Sequence, residues 1–522
     1  MKALQKEVFS DLAEIKDLPA ITMDELAKHN TAEDAWVLID GVVYNVTKFL
    51  PLHPGGRQVL LSSCGRDATE DFKMMHTERV LSDPKYKKLR VARLALEDLD
   101  PDEQKKFLAR RVQEKWLPFS QPYWQDPRGT LVSPYYTDRH RKWQAKVHAF
   151  IATEIRPFVD QWDEQGSYPL SLHKKAYDAG IYACMWPKEY GGTPPEGGWD
   201  MFMDLIYLYE MSGVGSGGVM ASWFLTGNIA LPPIVDHGSQ ELKARVVREV
   251  VTGDAIIALA VTEPWAGSDV ANVRTTAVLD ESTRTWVING EKKFITSGMT
   301  AKYLTVACRT GASGGHQGLS LILVPTDAAG LERKKIKTMG WWAGNTAYIT
   351  FENVRVPYEN LIGKQNEGFR YIMENFNHER FVACVGAACG GHKAIRESIK
   401  FARVRKTFGK RLIDHQVIRH KLADMAMKTE AHYAWCEQVA YMMDKKAPAQ
   451  DIGARIALLK VNGTLLLEFC AREACQILGG NSYARQGHGQ AIERMYREVR
   501  VSAIGGGSEE IMRDLGMRMS RL

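Results

Sequence analysis

The chain has 522 residues, 45% hydrophobic and 25% charged, with 68 Lys and Arg against 62 Asp and Glu for a net charge of +6. A length of this order divides into several cores at roughly 100–200 residues each, and a small positive charge spread without a Lys/Arg block argues against a nucleic-acid partner. No apolar run approaches the roughly 20 residues of a membrane span, and eight scattered cysteines form no C-x-x-C pair, which disfavours a membrane span, a zinc site and a disulfide framework.

The first twenty residues hold four Asp/Glu and no apolar core, unlike a signal or transit peptide, so residues 1–18 read as an extension. The chain ends Ser520-Arg521-Leu522, a variant of the S-K-L address, which predicts a peroxisomal location, otherwise a cytoplasmic or other intracellular one.

Residues 19–98 read as short elements with tight turns. "AWVLIDGVVYNVTKFL" carries two β-rich runs joined at Asp40-Gly41, a strong hairpin signal. "HPGG" at 53–56 and "DATEDFKMMH" at 67–76 then place two histidines beside Leu-, Phe- and Met-rich helical segments. One histidine alone is usually a hydrogen-bonded structural residue. A pair facing an apolar slot suits a flat cofactor with an iron centre. The stretch resembles the cytochrome b5 family, which implies a small α+β domain binding haem b with His53 and His76 as axial ligands. Two axial ligands leave no open position on iron, so the implied role is electron transfer.

Residues 99–135 read as a linker, in which Trp116, Phe119, Tyr123 and Trp124 are unlikely all to be solvated. Beyond it, residues 136–258 show helical spacing, 259–365 are strand-like, and 366–522 return to helix. The α–β–α order suggests helices bracketing a β-barrel or sandwich.

Four stretches in this region, "VTEPWAGSDV" (261–270), "KKFITSG" (292–298), "RKTFGKRLIDHQ" (405–416) and "QILGGNSY" (476–483), resemble the acyl-CoA dehydrogenase family in their order and spacing. The resemblance implies an N-terminal helical domain, a middle β domain, a C-terminal four-helix bundle, bound FAD and an acyl-CoA substrate. Carried over, the FAD contacts are Thr262, Gly267, Ser268, Phe294, Thr296, Arg405, Phe408, Gln416, Gln476, Gly479, Gly480 and Ser508. Ser268 and Arg380 also face substrate. Arg405 resembles an arginine that reaches the diphosphate of a neighbouring subunit's FAD, where a guanidinium suits paired phosphate oxygens, and this implies a homo-oligomer, dimer or tetramer.

The family removes an α-proton with a carboxylate, often a Glu in a loop near the C-terminus. Here that loop reads "AIGGGSEEI" (503–511) and the Glu position is Gly506. Glu509 and Glu510 read as acidic residues of a helix first turn with Ser508 as cap. In isovaleryl- and long-chain-type relatives the base stands on a helix in an E-R pattern, and "NHERFVACVGAACGG" puts Glu379 there, followed by Arg380. Glu379 is therefore the predicted base. Gly506 keeps an N–H for the thioester carbonyl.

The fusion suggests that flavin electrons pass to the haem and then to an external one-electron acceptor, with the reverse direction also open. The alternatives are a peroxisomal oxidase using O2, flavin desaturation of a non-CoA substrate, for which the unusual Trp341 and Trp342 speak, and a non-catalytic scaffold carrying the haem.

Overall fold

Asp40 (φ 50°) and Gly41 (φ 82°) both take the left-handed conformation that a tight two-residue hairpin demands. They join strands Trp36–Ile39 and Val42–Asn45, with Ile39 opposite Val42. Strands Arg90–Leu94 and Ala20–Ile21 complete a four-stranded sheet over a core of Val37, Ile39, Tyr44 and Leu50. Short helices Arg57–Leu61 and Thr69–Met75 stand in the chain between strands Val42–Asn45 and Arg90–Leu94.

These features come from a computed structural model that describes residues 15, 17–76, 79–95, 117–126, 131–311 and 314–521. The expectations placed on 99–116, Trp116 included, on Leu522 and on all of the 1–18 extension except residues 15, 17 and 18 lie outside the described residues. Of the other linker aromatics, Trp124 is buried, Tyr123 donates to Ser133 Oγ at 2.9 Å, and Phe119 is exposed.

The chain divides into two units: residues 1–134, 392–427 and 470–493 form one, and 135–391, 428–469 and 494–522 the other. The second unit opens with helices Asp138–Glu154 and Met201–Ser212. An eight-stranded sheet follows in the order Leu331–Lys335, Ala347–Pro357, Thr285–Ile295, Thr276–Asp280, Tyr303–Arg309, Leu319–Pro325, Leu361–Ile362, with Ile257–Ala260 beside Tyr303–Arg309. Its core includes Trp286, Ile288, Val306 and Ile322. The helices Gly368–Val404, Gln416–Asp444 and Ala449–Leu478 have 37, 29 and 30 residues, and Gln490–Ile504 and Glu509–Met519 close the chain. They pack closely. A Cβ at Gly390 would lie 2.4 Å from the Leu467 side chain, and one at Gly391 2.5 Å from Thr429.

The helical stretch Gly217–His237 is long and apolar enough to cross a membrane by length and composition, at mean hydropathy 1.3, with 61% of it buried within the protein. Interspersed Gly, Ser, Asn and Pro break the run to the eye while leaving its average apolar. All eight cysteines are free and seven are buried. Burial pushes the Cys64 thiol up to about 11 and Cys308 up to about 12.

Candidate active site

His53 ends the 3-10 turn Leu50–Leu52, and His76 caps the helix Thr69–Met75. Their ring centroids are 5.8 Å apart, close to the span of one iron between two imidazoles with metal–nitrogen bonds of about 2 Å. His53 Nδ1 lies 3.2 Å from the Gly56 carbonyl, so it donates there and leaves Nε2 as the ligand atom. Phe49 meets His53 edge-on and Phe72 stacks on His76 at 4.7 Å. A Cβ at Gly55 would come within 2.9 Å of His53 Cε1, so the backbone passes tightly under that ring. Burial, then the nearby His53, holds His76 below its ordinary value, which favours the neutral form that ligates metal. This donor set fits a haem with two axial histidines.

In the second unit, Lys293 N donates to Thr262 O at 2.8 Å, tying "VTEPWAGSDV" alongside "KKFITSG". Beneath that junction the Lys292–Glu263 ion pair, 2.8 Å long, is fully buried. Glu263 also accepts from Trp265 Nε1, Arg274 N and Thr275 N. Burial works to raise this carboxyl, but Lys292 and these donors hold it below the ordinary carboxylate range. Along the rim the hydroxyls of Thr262, Ser268 and Thr296 have no protein partner among the described residues. Phe294 is 56% exposed at φ 61°, and nothing lies within 4 Å of a Cβ at Gly267. An exposed ring flanked by unpaired hydroxyls and an open glycine fits FAD. The tight turn here is Pro264-Trp265, closed by Glu263 and Ala266, which bond each other.

Glu379 stands on the helix Gly368–Val404, and Gly506 follows the helix Gln490–Ile504. The two meet: a Cβ at Gly506 would lie 3.8 Å from Glu379 Oε1. Gly506 has φ 67° and Gly507 φ 106°, a conformation glycine adopts without strain. Arg380 Nε donates to the Gly506 carbonyl at 3.2 Å, and Lys460 Nζ to the Gly507 carbonyl at 2.6 Å and that of Ala503 at 3.3 Å. With these carbonyls held, the Gly506 N–H has no protein acceptor among the described residues.

Burial raises Glu379 above its ordinary value of 4.5, against the pull of Arg380, Lys460 and His378. Burial likewise lowers Lys460 to about 8. His378 sits 2.9 Å from buried Asp204. Burial pulls its pKa down, but that carboxylate outweighs the effect and holds the ring above its ordinary value. An open cleft lies alongside, lined by Pro233, Asp236, His237, Tyr371, Glu374 and His378.

Ser508 occupies the N-cap position of Glu509–Met519, yet its side chain makes no cap bond. Glu509 Oε1 is engaged by Thr464 at 2.7 Å, a structural tie. The remaining predicted cofactor residues, Arg405, Phe408, Gln416, Gln476, Gly479 and Gly480, belong to the first unit. Phe408 is 97% exposed, and nothing approaches a Cβ at Gly479 or Gly480. Trp341, at φ 56°, packs against Gly217 and Gly218, and Arg497 covers the Trp342 ring at 3.8 Å.

Sequence reasoning missed Lys460, Asp204 and the Glu263–Lys292 pair. The last had a signal: a lysine inside the strand "TWVINGEKKFI" needs a buried partner, and the neighbouring motif holds a Glu.

Residues 22–109 match the cytochrome b5-like haem/steroid binding domain family. Residues 137–254, 258–354 and 366–520 match the N-terminal, middle and C-terminal acyl-CoA dehydrogenase domain families in that order. The chain is 36% identical to acyl-CoA dehydrogenase AFT10-1 of Alternaria alternata over 77% of this chain and 95% of that one. It is 32% identical to the short-chain specific mitochondrial acyl-CoA dehydrogenase of Rattus norvegicus, over 72% and 88%. Among solved structures, the acyl-CoA dehydrogenase of Geobacillus kaustophilus superposes with TM-score 0.69 at 30% identity, over 75% of this chain and 100% of that one. Butyryl-CoA dehydrogenase of Megasphaera elsdenii does so with TM-score 0.69 at 26% identity, again over 75% and 100%.

Proposed function

The chain belongs to the acyl-CoA dehydrogenase family, with a cytochrome b5-like domain ahead of the three acyl-CoA dehydrogenase domains, and on that premise we propose that Glu379 is its base and the haem its electron outlet. It is a flavoprotein oxidoreductase acting on CH–CH bonds, with FAD and haem as cofactors.

The observation that carries the base assignment is Glu379 beside Gly506 in a partly buried setting. Glu379 takes the α-proton of the thioester, and its raised pKa brings it closer to matching that weak acid. The Gly506 N–H points its donor at the carbonyl where enolate charge develops. Arg380 and Lys460 keep the loop in place by holding its carbonyls, so that donor does not wander. When bound, FAD accepts the β-hydrogen as hydride, completing the two-electron oxidation. Thr262, Ser268, Phe294 and Thr296 form the rim proposed to hold it.

The haem relay draws support from a two-histidine donor set that leaves iron no site for oxygen or substrate. Anaerobic mixing with a panel of short, branched and long acyl-CoAs tests both halves. Flavin bleaching in wild type with none in Glu379→Gln supports the base. Haem reduction after bleaching supports the relay, and a haem that stays oxidised sinks it. The exposed Arg405, Phe408, Gly479 and Gly480 support a homo-oligomer completed by a second copy, to be tested by sedimentation. Peroxisomal import is a proposal resting on Ser520-Arg521-Leu522, tested by relocation of a fluorescent fusion on deleting that tripeptide.

A further inference from the structure

Beneath the rim proposed for FAD, in the second unit, runs a chain of buried hydroxyls. Ser297, next to Thr296, is fully buried at φ 60°, and Phe294 has φ 61°. Left-handed non-glycine residues are costly, and a turn holding two of them persists only where its surroundings over-determine it. Ser297 is held through backbone and side chain alike. Its N–H donates to the Gly344 carbonyl at 2.9 Å, and its Oγ lies 2.8 Å from Ser222 Oγ and 3.2 Å from Thr226 Oγ1. Ser222 sits in the π-helical turn Met220–Leu225, and Thr226 directly follows it. The turn that carries Gly344 packs on the start of the same helical stretch, since a Cβ at Gly218 would lie 2.7 Å from the Trp341 carbonyl carbon.

The chain continues away from the rim. Tyr168 Oη donates to Ser222 Oγ at 3.3 Å, His173 Nε2 lies 3.1 Å from Tyr168 Oη, and His173 Nδ1 lies 3.0 Å from Tyr182 Oη. Each hydroxyl has one proton, so these contacts run in one direction. Tyr168 directs its proton at Ser222 and accepts from His173 Nε2–H, which leaves His173 Nδ1 to accept from Tyr182. Ser222 then donates to Ser297 Oγ, and Ser297 to the Ser222 carbonyl at 3.1 Å. The imidazole is neutral in this arrangement, in keeping with burial that holds its pKa down at about 4. Every link from Tyr182 to Ser297 is satisfied, the condition under which a buried polar chain stiffens what it touches.

We propose that Ser222, Tyr168 and His173 are positioning residues of the FAD site, forming with Tyr182 a one-directional chain that ends on Ser297 and fixes the turn Phe294–Ser297. The inference rests on the rim reading above. Phe294 and Thr296 are the groups proposed to meet the cofactor, and the chain acts on them only through Ser297. A turn held in one shape binds at its full affinity, whereas a turn that is competent for a fraction of the time binds more weakly by that fraction. Breaking one buried link should therefore weaken FAD binding although no group proposed to touch FAD has been removed.

The test uses full-length holoprotein, with FAD Kd obtained from the flavin fluorescence released on serial dilution and amide exchange followed across 293–299. Ser222→Ala and, separately, Tyr168→Phe should each raise the FAD Kd about fivefold, the size of one buried hydrogen bond, and speed exchange of the Ser297 amide by a similar factor. The two combined should lose little more than Ser222→Ala alone, because the links act in series. Thr226→Ser keeps its hydroxyl and should match wild type. A chain that merely supports the fold would lower Tm in these variants and leave FAD Kd, measured well below Tm, unchanged; that result overturns the proposal. Fully additive losses in the double variant overturn the series arrangement. Should Thr262→Val and Ser268→Ala both bind FAD as wild type does, the rim reading fails and takes the chain's role toward FAD with it. Faster Ser297 exchange in Ser222→Ala would then uphold only the hold on the turn.

Discussion

Gly506 lies close enough to Glu379 that a side chain added at the loop would begin 3.8 Å from the carboxylate on the helix. On the function proposed above, loop and helix serve one reaction centre, and a carboxylate from either reaches it. Glu379→Gln is expected to slow acyl-CoA-dependent flavin bleaching by about 10²–10⁴-fold, the worth of a positioned general base. Glu379→Ala combined with Gly506→Glu should recover measurable bleaching. It should stay below wild type, because Gly506 has φ 67° and a left-handed non-glycine residue costs about 1–2 kcal/mol. Stopped-flow bleaching of the three proteins checks this; a double variant no better than Glu379→Ala refutes the shared centre.

The pH profile offers an independent check. Burial holds Glu379 above 4.5, and a base works only when ionised. The acid limb of the rate of flavin bleaching should therefore have its midpoint above 4.5, with rate rising as pH rises. Lys460→Met removes a cation that favours the ionised carboxylate and should move this midpoint higher still. Single-turnover rates across pH measure it.

Glu498 predicts a separate effect on stability. Burial, then the neighbouring Asp163, raises its carboxyl to about 7, while its Oε2 accepts from Gly217 N at 3.0 Å. The unfolded group titrates near 4.5. Its contribution to stability is thus complete below that value and declines as pH climbs through about 7. Glu498→Gln should flatten the fall in Tm between about pH 5 and about pH 8, which calorimetry at both ends would measure.

Removing one partner of the Glu263–Lys292 pair strands a buried charge, a loss of about 3–5 kcal/mol. Lys292→Met should therefore destabilise the fold and reduce FAD retention, since the pair underlies the junction of the two rim motifs. Glu263→Leu with Lys292→Met should recover much of the stability. Chemical denaturation and the FAD-to-protein ratio separate the two effects.

Gly55→Ala would crowd His53 Cε1 at 2.9 Å and tilt the imidazole. Weaker haem retention is expected, with flavin bleaching by acyl-CoA unaltered. His76→Ala should abolish the haem absorbance. Pigment content and bleaching rate, measured on one preparation, distinguish these outcomes from general misfolding.

Local chemistry made much of this legible beforehand. The Asp40-Gly41 hairpin declared itself because two consecutive left-handed residues restrict the turn to such pairs. The histidine pair and Glu379 were legible only through the resemblance to the cytochrome b5 and acyl-CoA dehydrogenase families, because neither a lone histidine nor an E-R pair is diagnostic by itself. Lys460 and Asp204 gave no such sign, because their partners lie far along the chain and no periodicity links them. Ser508 failed as a side-chain cap although its type and position suit one. A residue's type fixes what it can bond, and the surrounding packing decides whether it does.

The buried thiols have a chemical consequence for how long such a protein lasts. Oxidants attack thiolate, and a thiol titrating at about 11, like Cys64, is ionised at pH 7 in only about one molecule in ten thousand. A flavoprotein that leaks electrons to oxygen makes peroxide beside its own side chains. Here seven of the eight cysteine sulfurs are shielded by burial, leaving partly exposed Cys475 as the first expected casualty of such self-inflicted damage.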